Sequence, residues 1–307
     1  MPEFLSVPSR DVGQVFGLTM DDAIDEESGL PAPNVYVTAT SVYGLPIVAF
    51  DKASVAGIKP LANGGPEARW MEGLFGQKLG GGPGSVWKID GLSGKASLFV
   101  DIRHDGRANG GAALGAIAYD TATGQFFVSD RETGLIHRID LTGRLLDAFD
   151  HGVVGREAAG LAGAPLGADY GTDISSAGFS TADPATWGYA DPARRTWALA
   201  VHAGRLYYSV AEGPQIWSVG LTSEGRFDGK DVRLEIELPG LASGVEIAGI
   251  DFTLDGRMLL AARAAPASGD DLEQLVETKP AGVMVYARAR AGTAAGSAAW
   301  QPVDAAV

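Results

Sequence analysis

The chain of 307 residues contains no cysteine. That single absence excludes disulfide scaffolds, Cys-ligated zinc, haem attachment and thiol nucleophiles. No apolar run approaches the roughly 18 residues of a membrane-spanning helix, so membrane insertion is not expected. Basic residues are few: 24 Lys and Arg stand against 38 Asp and Glu, for a net charge of −14. A phosphate backbone is bound by clustered Lys and Arg, so nucleic acid is not an expected partner. Histidine is scarce as well. His104, His137, His151 and His202 fall into neither an H-x-H nor an H-E-x-x-H spacing. There is no G-x-S-x-G elbow for a serine nucleophile. The segment Gly80-Gly81-Gly82-Pro83-Gly84-Ser85 lacks the Gly-Lys-Ser/Thr ending of a phosphate cradle and leads into a strand. The compartment stays open. A periplasmic or extracellular one is expected, with a signal peptide removed ahead of Met1-Pro2-Glu3-Phe4.

What the chain has in abundance is glycine, 43 residues, set between short apolar runs. That pattern favours sandwiches, barrels or propellers over helical folds. One unit recurs. Its clearest copy runs through Ala116–Asp120, Gln125–Ser129, Leu135–Leu141 and Leu145–Asp150, four short strands divided by turns. A first copy starts at Gly17 and includes Asn34–Thr38, Ser85–Asp90 and Ala96–Ile102. A third starts at Ala198 and includes Arg205–Val210, Gln215–Leu221 and Val232–Leu238. A fourth starts at Gly249 and includes Met258–Ala262, Gly282–Ala287 and a weak run near Trp300. Such strands are apolar on both faces, so a lone four-stranded meander would expose one of them; a ring of meanders buries both. The fold class expected is an all-β propeller of four-stranded antiparallel blades, one domain over residues 1–307.

At this point the chain resembles the NHL-type and SMP-30/gluconolactonase-type propellers. The carriers are the Gly17-Leu-Thr-Met-Asp21 type of strand head, the stretch from Val128 to Gly143 (VSDRETGLIHRIDLTG) and the stretch from Phe252 to Ala262 (FTLDGRMLLAA). The resemblance implies six blades, where four are visible. It also implies a divalent cation, Ca²⁺ or another, held in the central channel by carboxylate and amide oxygens. No motif demands a cofactor. No Glu is expected to head the first strand of any blade, and Asp251 is the carboxylate placed at the inward middle position of such a strand.

Insertions at about 43–84, 152–195 and 266–280 interrupt the repeat. In a meander the second-to-third connection and the connection to the next blade leave from one face, so all three insertions crowd that face. Long loops on a rigid scaffold carry function. The expected ligand-binding face is Arg69, Trp70, Arg103, Asn109, Arg131, Tyr170 and Trp187. His104 and Asp105 are the acid–base candidates, and Asp130, Glu132, Asp173, Glu212 and Asp251 the metal candidates. The first reading of function is a module that binds a protein, a small molecule or a glycan through this face. One alternative is a metal-dependent hydrolase or lactonase; another is a structural domain of a larger exported protein.

Overall fold

The computed structural model describes residues 6–242, 244–263, 282–289 and 299–303. The insertion expected at 266–280 lies outside them. Blade one is built from β1 (Val15–Met20) and β2 (Val35–Ala39), then, after cap strands β3 (Ile47–Phe50), β4 (Ile58–Leu61) and β5 (Arg69–Trp70), from β6 (Ser85–Ile89) and β7 (Ala96–Asp101). A hairpin of β8 (Arg103–His104) and β9 (Arg107–Ala108) follows. Blade two is β10 (Leu114–Asp120), β11 (Gln125–Asp130), β12 (Leu135–Asp140) and β13 (Leu145–Asp150). Blade three is β14 (Thr196–His202), β15 (Arg205–Val210), β16 (Gln215–Leu221) and β17 (Phe227–Glu237). Blade four is β18 (Glu246–Phe252), β19 (Met258–Arg263), β20 (Gly282–Arg288) and β21 (Trp300–Pro302). Each blade is a four-stranded sheet in chain order, and every pairing is antiparallel. Among the described residues the propeller has these four blades, not the six that the resemblance implies. No helix among them is long and apolar enough to cross a membrane.

The apolar runs of the sequence have a direct cause. Successive side chains of a strand point to opposite faces, and here both faces meet a neighbouring blade. Phe126 packs toward Tyr36 and Val86 of blade one, while the next residue, Phe127, packs toward Leu199 and Tyr208 of blade three. Tyr207 and Tyr208 divide in the same way between blades four and two. Three seams are therefore apolar: one to two, two to three, and three to four. Among the described residues no such cluster joins blade four to blade one. There Arg263 reaches across, donating from Nη2 to the Val42 carbonyl at 3.0 Å. Its guanidinium also lies 5.2 Å from the Tyr43 ring and 5.6 Å from that of Phe16.

The inner strands share a second feature. Each of β1, β10, β14 and β18 carries a register break within its first residues. A bulge of this kind frees one N–H from the ladder. A hydroxyl on the second strand takes it up. Thr38 Oγ1 accepts from Gly17 N at 3.0 Å and donates to the Gly115 carbonyl of blade two at 2.6 Å. Ser129 Oγ accepts from Ala116 N at 2.9 Å and donates to the Trp197 carbonyl of blade three at 2.6 Å. Ser209 Oγ accepts from Ala198 N at 2.9 Å and donates to the Ile247 carbonyl of blade four at 2.7 Å. Ala262, paired with Ile247, occupies the corresponding place in blade four and has no hydroxyl to pass on. The relay stops where the apolar seams stop.

Above this ring the first two insertions merge into one cap. Gly64 N donates to the Phe179 carbonyl and Thr181 N to the Ala62 carbonyl, both at 2.9 Å. Leu45, Ile47, Phe75, Phe179 and Trp187 form the cap's own core.

Ser129→Ala leaves a buried N–H and a buried carbonyl without their partner, at a cost of about 1–3 kcal/mol. Urea unfolding of the variant should show that loss, and Ser129→Thr should restore most of it. Equal stability of Ser129→Ala and the parent chain would contradict the relay.

Candidate functional site

Beneath the cap, the segment 187–197 descends to the head of β14 and divides the mouth of the ring. On one side is a recess of about 370 Å³, bordered by Glu132, Asp169, Tyr170, Gly171, Asp191 and Arg194. On the other is a recess of about 310 Å³, bordered by Arg195, Glu212, Pro214, Val245 and Glu246.

Glu132 sits in the turn that joins β11 to β12. Asp130 builds that turn, accepting from Glu132 N at 2.9 Å and Thr133 Oγ1 at 2.6 Å, and Gly134 completes it at φ 73°. The Glu132 carboxyl accepts from Gly110 N at 2.8 Å and from Gly111 N at 3.1 Å. Burial pushes its pKa up to about 7, and the Asp130 charge adds to the rise, against the pull of those backbone N–H groups. Gly171, at φ 104°, passes close by: a Cβ there would lie 3.0 Å from Arg107 Nη2 and 3.2 Å from Glu132 Oε1. Arg107 stacks on the Tyr170 ring at 4.3 Å. Arg194 is the floor and is fully engaged, donating to the Thr133 and Ala164 carbonyls, each at 2.7 Å, and to Asp150 at 3.1 Å. His151 behind it donates or accepts at Tyr208 O–H over 3.0 Å. Burial, with Arg156 and Arg194 nearby, holds His151 down at about 3, so it is neutral at physiological pH.

On the axis, Arg131 crosses from blade two to blade four. Its Nη1 lies 3.0 Å from Glu246 Oε2, and Arg195 Nη2 lies 3.0 Å from Glu246 Oε1. The Arg131 guanidinium lies 3.9 Å from the Trp197 ring and 4.8 Å from that of Tyr189. Burial alone would raise the Glu246 carboxyl, but Arg131 and Arg195 outweigh it and hold it below the usual range. Burial lowers Arg195 and Arg263.

The residues expected from the sequence divide. Tyr170 and Glu132 border one recess, and Arg131 stands on the axis. Trp187 is buried in the cap core, its Nε1 donating to the Ser180 carbonyl at 2.8 Å, and so is not presented to a ligand. Trp70 packs edge-on against Phe75 and Phe179 and belongs to the same core. Asn109 is a buried brace, donating to Asp130 at 2.9 Å and accepting from Gly111 and Ala113. Arg69 is exposed on β5, and Arg103 is exposed and paired with Asp101. His104 and Asp105 form the tip of the β8–β9 hairpin, 3.6 Å apart, with Asp105 almost wholly exposed.

The five metal candidates are not brought together. Asp130 and Glu132 accept from their own turn and from Gly110–Gly111; Glu212 pairs with Arg156; Asp173 accepts from Ser175; Asp251 is exposed and bonds Phe252 N. Among the described residues no three His, Asp or Glu groups stand together as a cation site. Two expectations need correction. Glu246 does head the first strand of a blade, because β18 begins three residues before Gly249, and its bulge had hidden the start. Asp251 is exposed, and among the described residues it belongs to no cation-holding group of three His, Asp or Glu residues. Arg195, Glu246 and Arg263, missed in the sequence, stand at strand ends, where alternation gives no signal.

No protein-family model matches the chain, and no curated protein does. Among solved structures it is similar to the Dos1 propeller, at 10% identity and a TM-score of 0.41, covering 90% of this chain and 48% of that one. It is similar to a virginiamycin B lyase from Staphylococcus aureus at 12% identity and a TM-score of 0.36, over 89% and 76% of the two chains. It is also similar to a PQQ-bound aldose sugar dehydrogenase from Streptomyces coelicolor at 14% identity and a TM-score of 0.38, over 89% and 79%. The propeller assignment rests on the strand order above, and at these values the likeness extends to no ligand or activity.

Glu132 gives a pH signature. Its folded pKa of about 7 exceeds the ordinary 4.5, so the folded state keeps a proton that the unfolded state releases. Its contribution to stability is full below about 4.5 and is lost as pH rises to about 7, at up to about 1.4 kcal/mol per pH unit. His151 has the opposite sign, destabilising as pH falls from 6.5 toward 3, and is common to parent and variant. Urea unfolding should therefore show Glu132→Gln gaining relative to the parent between pH 4.5 and 7.5. Parallel stability–pH curves would contradict the raised pKa.

Proposed function

We propose that the protein is a binding module that receives a small hydroxyl-rich ligand, a saccharide, in the recess bordered by Glu132, Asp169, Tyr170 and Asp191. The observation that carries this reading is the recess itself. Its volume of about 370 Å³ falls at the lower end of ligand sites, and it combines carboxylates with an aromatic ring. Sugar hydroxyls are met by carboxylate acceptors, and their C–H faces by rings. Arg107 stacks on Tyr170 and orients it. A recess of this size suits a mono- or disaccharide better than a protein surface, which is bound across much larger flat areas.

Glu132 is held in place by the loop it faces. Both Glu132 oxygens already accept from Gly110 N. That suits a group which orients a ligand and the loop that meets it.

Titration calorimetry with neutral mono- and disaccharides should find a member of the set that binds. Tyr170→Ala should weaken it about tenfold, the worth of one stacking contact. If none of the set binds, or if Tyr170→Ala leaves affinity unchanged, the reading fails.

A further inference from the structure

Three arginines converge at the axis on one carboxylate. Arg131, Arg195 and Arg263 surround Glu246, and with the Asp191 charge that also acts on Arg195 the described residues still leave more positive than negative charge. Of the next carboxylates, Glu212 pairs with Arg156, and Asp191, on the other side of the segment 187–197, accepts from Ala193 N at 2.8 Å and acts on Arg195 only through its charge. Buried charge is costly unless it is matched, and this excess sits where burial already lowers both Arg195 and Arg263.

The donors are also incomplete. Arg131, only 2% exposed, has its Nε buried with no hydrogen-bond partner among the described residues. Arg195 Nε and the Trp197 indole Nε1 are buried and unpartnered too. Trp197 is the ring under the Arg131 guanidinium, and Glu246 joins Arg131 to Arg195, so the three idle N–H groups belong to one cluster. Glu246 takes up one Nη of each arginine and shows that two guanidinium groups here can hold a carboxylate between them. Of this cluster, Arg195 and Glu246 border the recess of about 310 Å³, so a ligand entering it meets those two residues first, with Arg131 behind them.

We infer that this cluster is a second binding site, entered from the opposite side of the segment 187–197 to the saccharide recess and sharing only Tyr189 with it, and that it takes an organic carboxylate. Guanidinium groups match the two oxygens of a carboxylate or a phosphate equally well. The walls decide between them. Tyr189 and Trp197 flank the guanidinium groups, and Pro192, Pro214, Leu241 and Val245 line the entrance. Such walls favour a singly charged group on an apolar body over a strongly hydrated dianion.

The test uses the full chain at low ionic strength, with benzoate and inorganic phosphate as probes in titration calorimetry. Benzoate should bind and phosphate should bind at least about tenfold more weakly. Arg195→Gln, at a partly exposed position, should weaken benzoate about tenfold, whereas Tyr170→Ala should not change it. Because Arg131→Gln disturbs a buried pair, crystals soaked in 4-bromobenzoate supply the second readout: an anomalous bromine peak beside Arg131 and Arg195. Tighter binding of phosphate would overturn the carboxylate assignment. Benzoate affinity unchanged in Arg195→Gln, or ordered waters alone on the three N–H groups after soaking, would overturn the site. Neither outcome bears on the saccharide recess, whose variant and ligands are different.

Discussion

A buried hydroxyl that accepts from its own blade and donates to the next is the interaction on which the ring depends. Thr38, Ser129 and Ser209 each do this at the same height of the inner strands. The bulge frees an N–H near the crowded axis, where water has little access, and an unpaired buried N–H costs as much as a hydrogen bond is worth, or more. The hydroxyl settles that debt and, in the same stroke, sets the distance between neighbouring inner strands. Apolar seams then fill the space outward from it. Where the hydroxyl is missing, at Ala262, the described residues form no apolar seam either, and Arg263 bridges blade four to blade one by a hydrogen bond and ring contacts.

This asymmetry shapes the site. The arginine that closes the ring comes from the residue after the missing hydroxyl. Glu246 opens β18, and Arg131 follows the last residue of β11, so both sit beside inner-strand bulges. A closure made by charge puts several like charges on the axis, and a single carboxylate binds them together. The cap covers this end through the contacts between its two insertions and leaves a recess on each side of the segment 187–197.

Much of the ring was legible in the sequence. QFFVSD and RLYYSV announce strands buried on both faces, because adjacent aromatic residues must serve opposite seams. The hydroxyls were in view as well: Thr38, Ser129 and Ser209 stand one residue before the ends of three second strands, and Ala262 does so in the fourth. Their partners were not, since a bond to the next blade's backbone has no local pattern. Glu246 was hidden by the bulge that breaks the period of two. Trp70 and Trp187 read as ligand aromatics because they lie in loops, yet those loops needed a core of their own and used them for it. Arg195 was counted as the edge of an insertion, and Arg263 fell just beyond a strand read as ending at Ala262; only packing around the axis makes them one group.

The most direct test of the relay is native-state hydrogen exchange at the four bulge amides. Gly17, Ala116 and Ala198 donate to the three hydroxyls, and Ala248 is their counterpart in blade four. The first three should exchange only through global unfolding, and Ala248 much sooner, through local opening of the blade-four seam. Equal protection at all four amides would contradict a ring held by hydroxyls at three seams and by charge at the fourth.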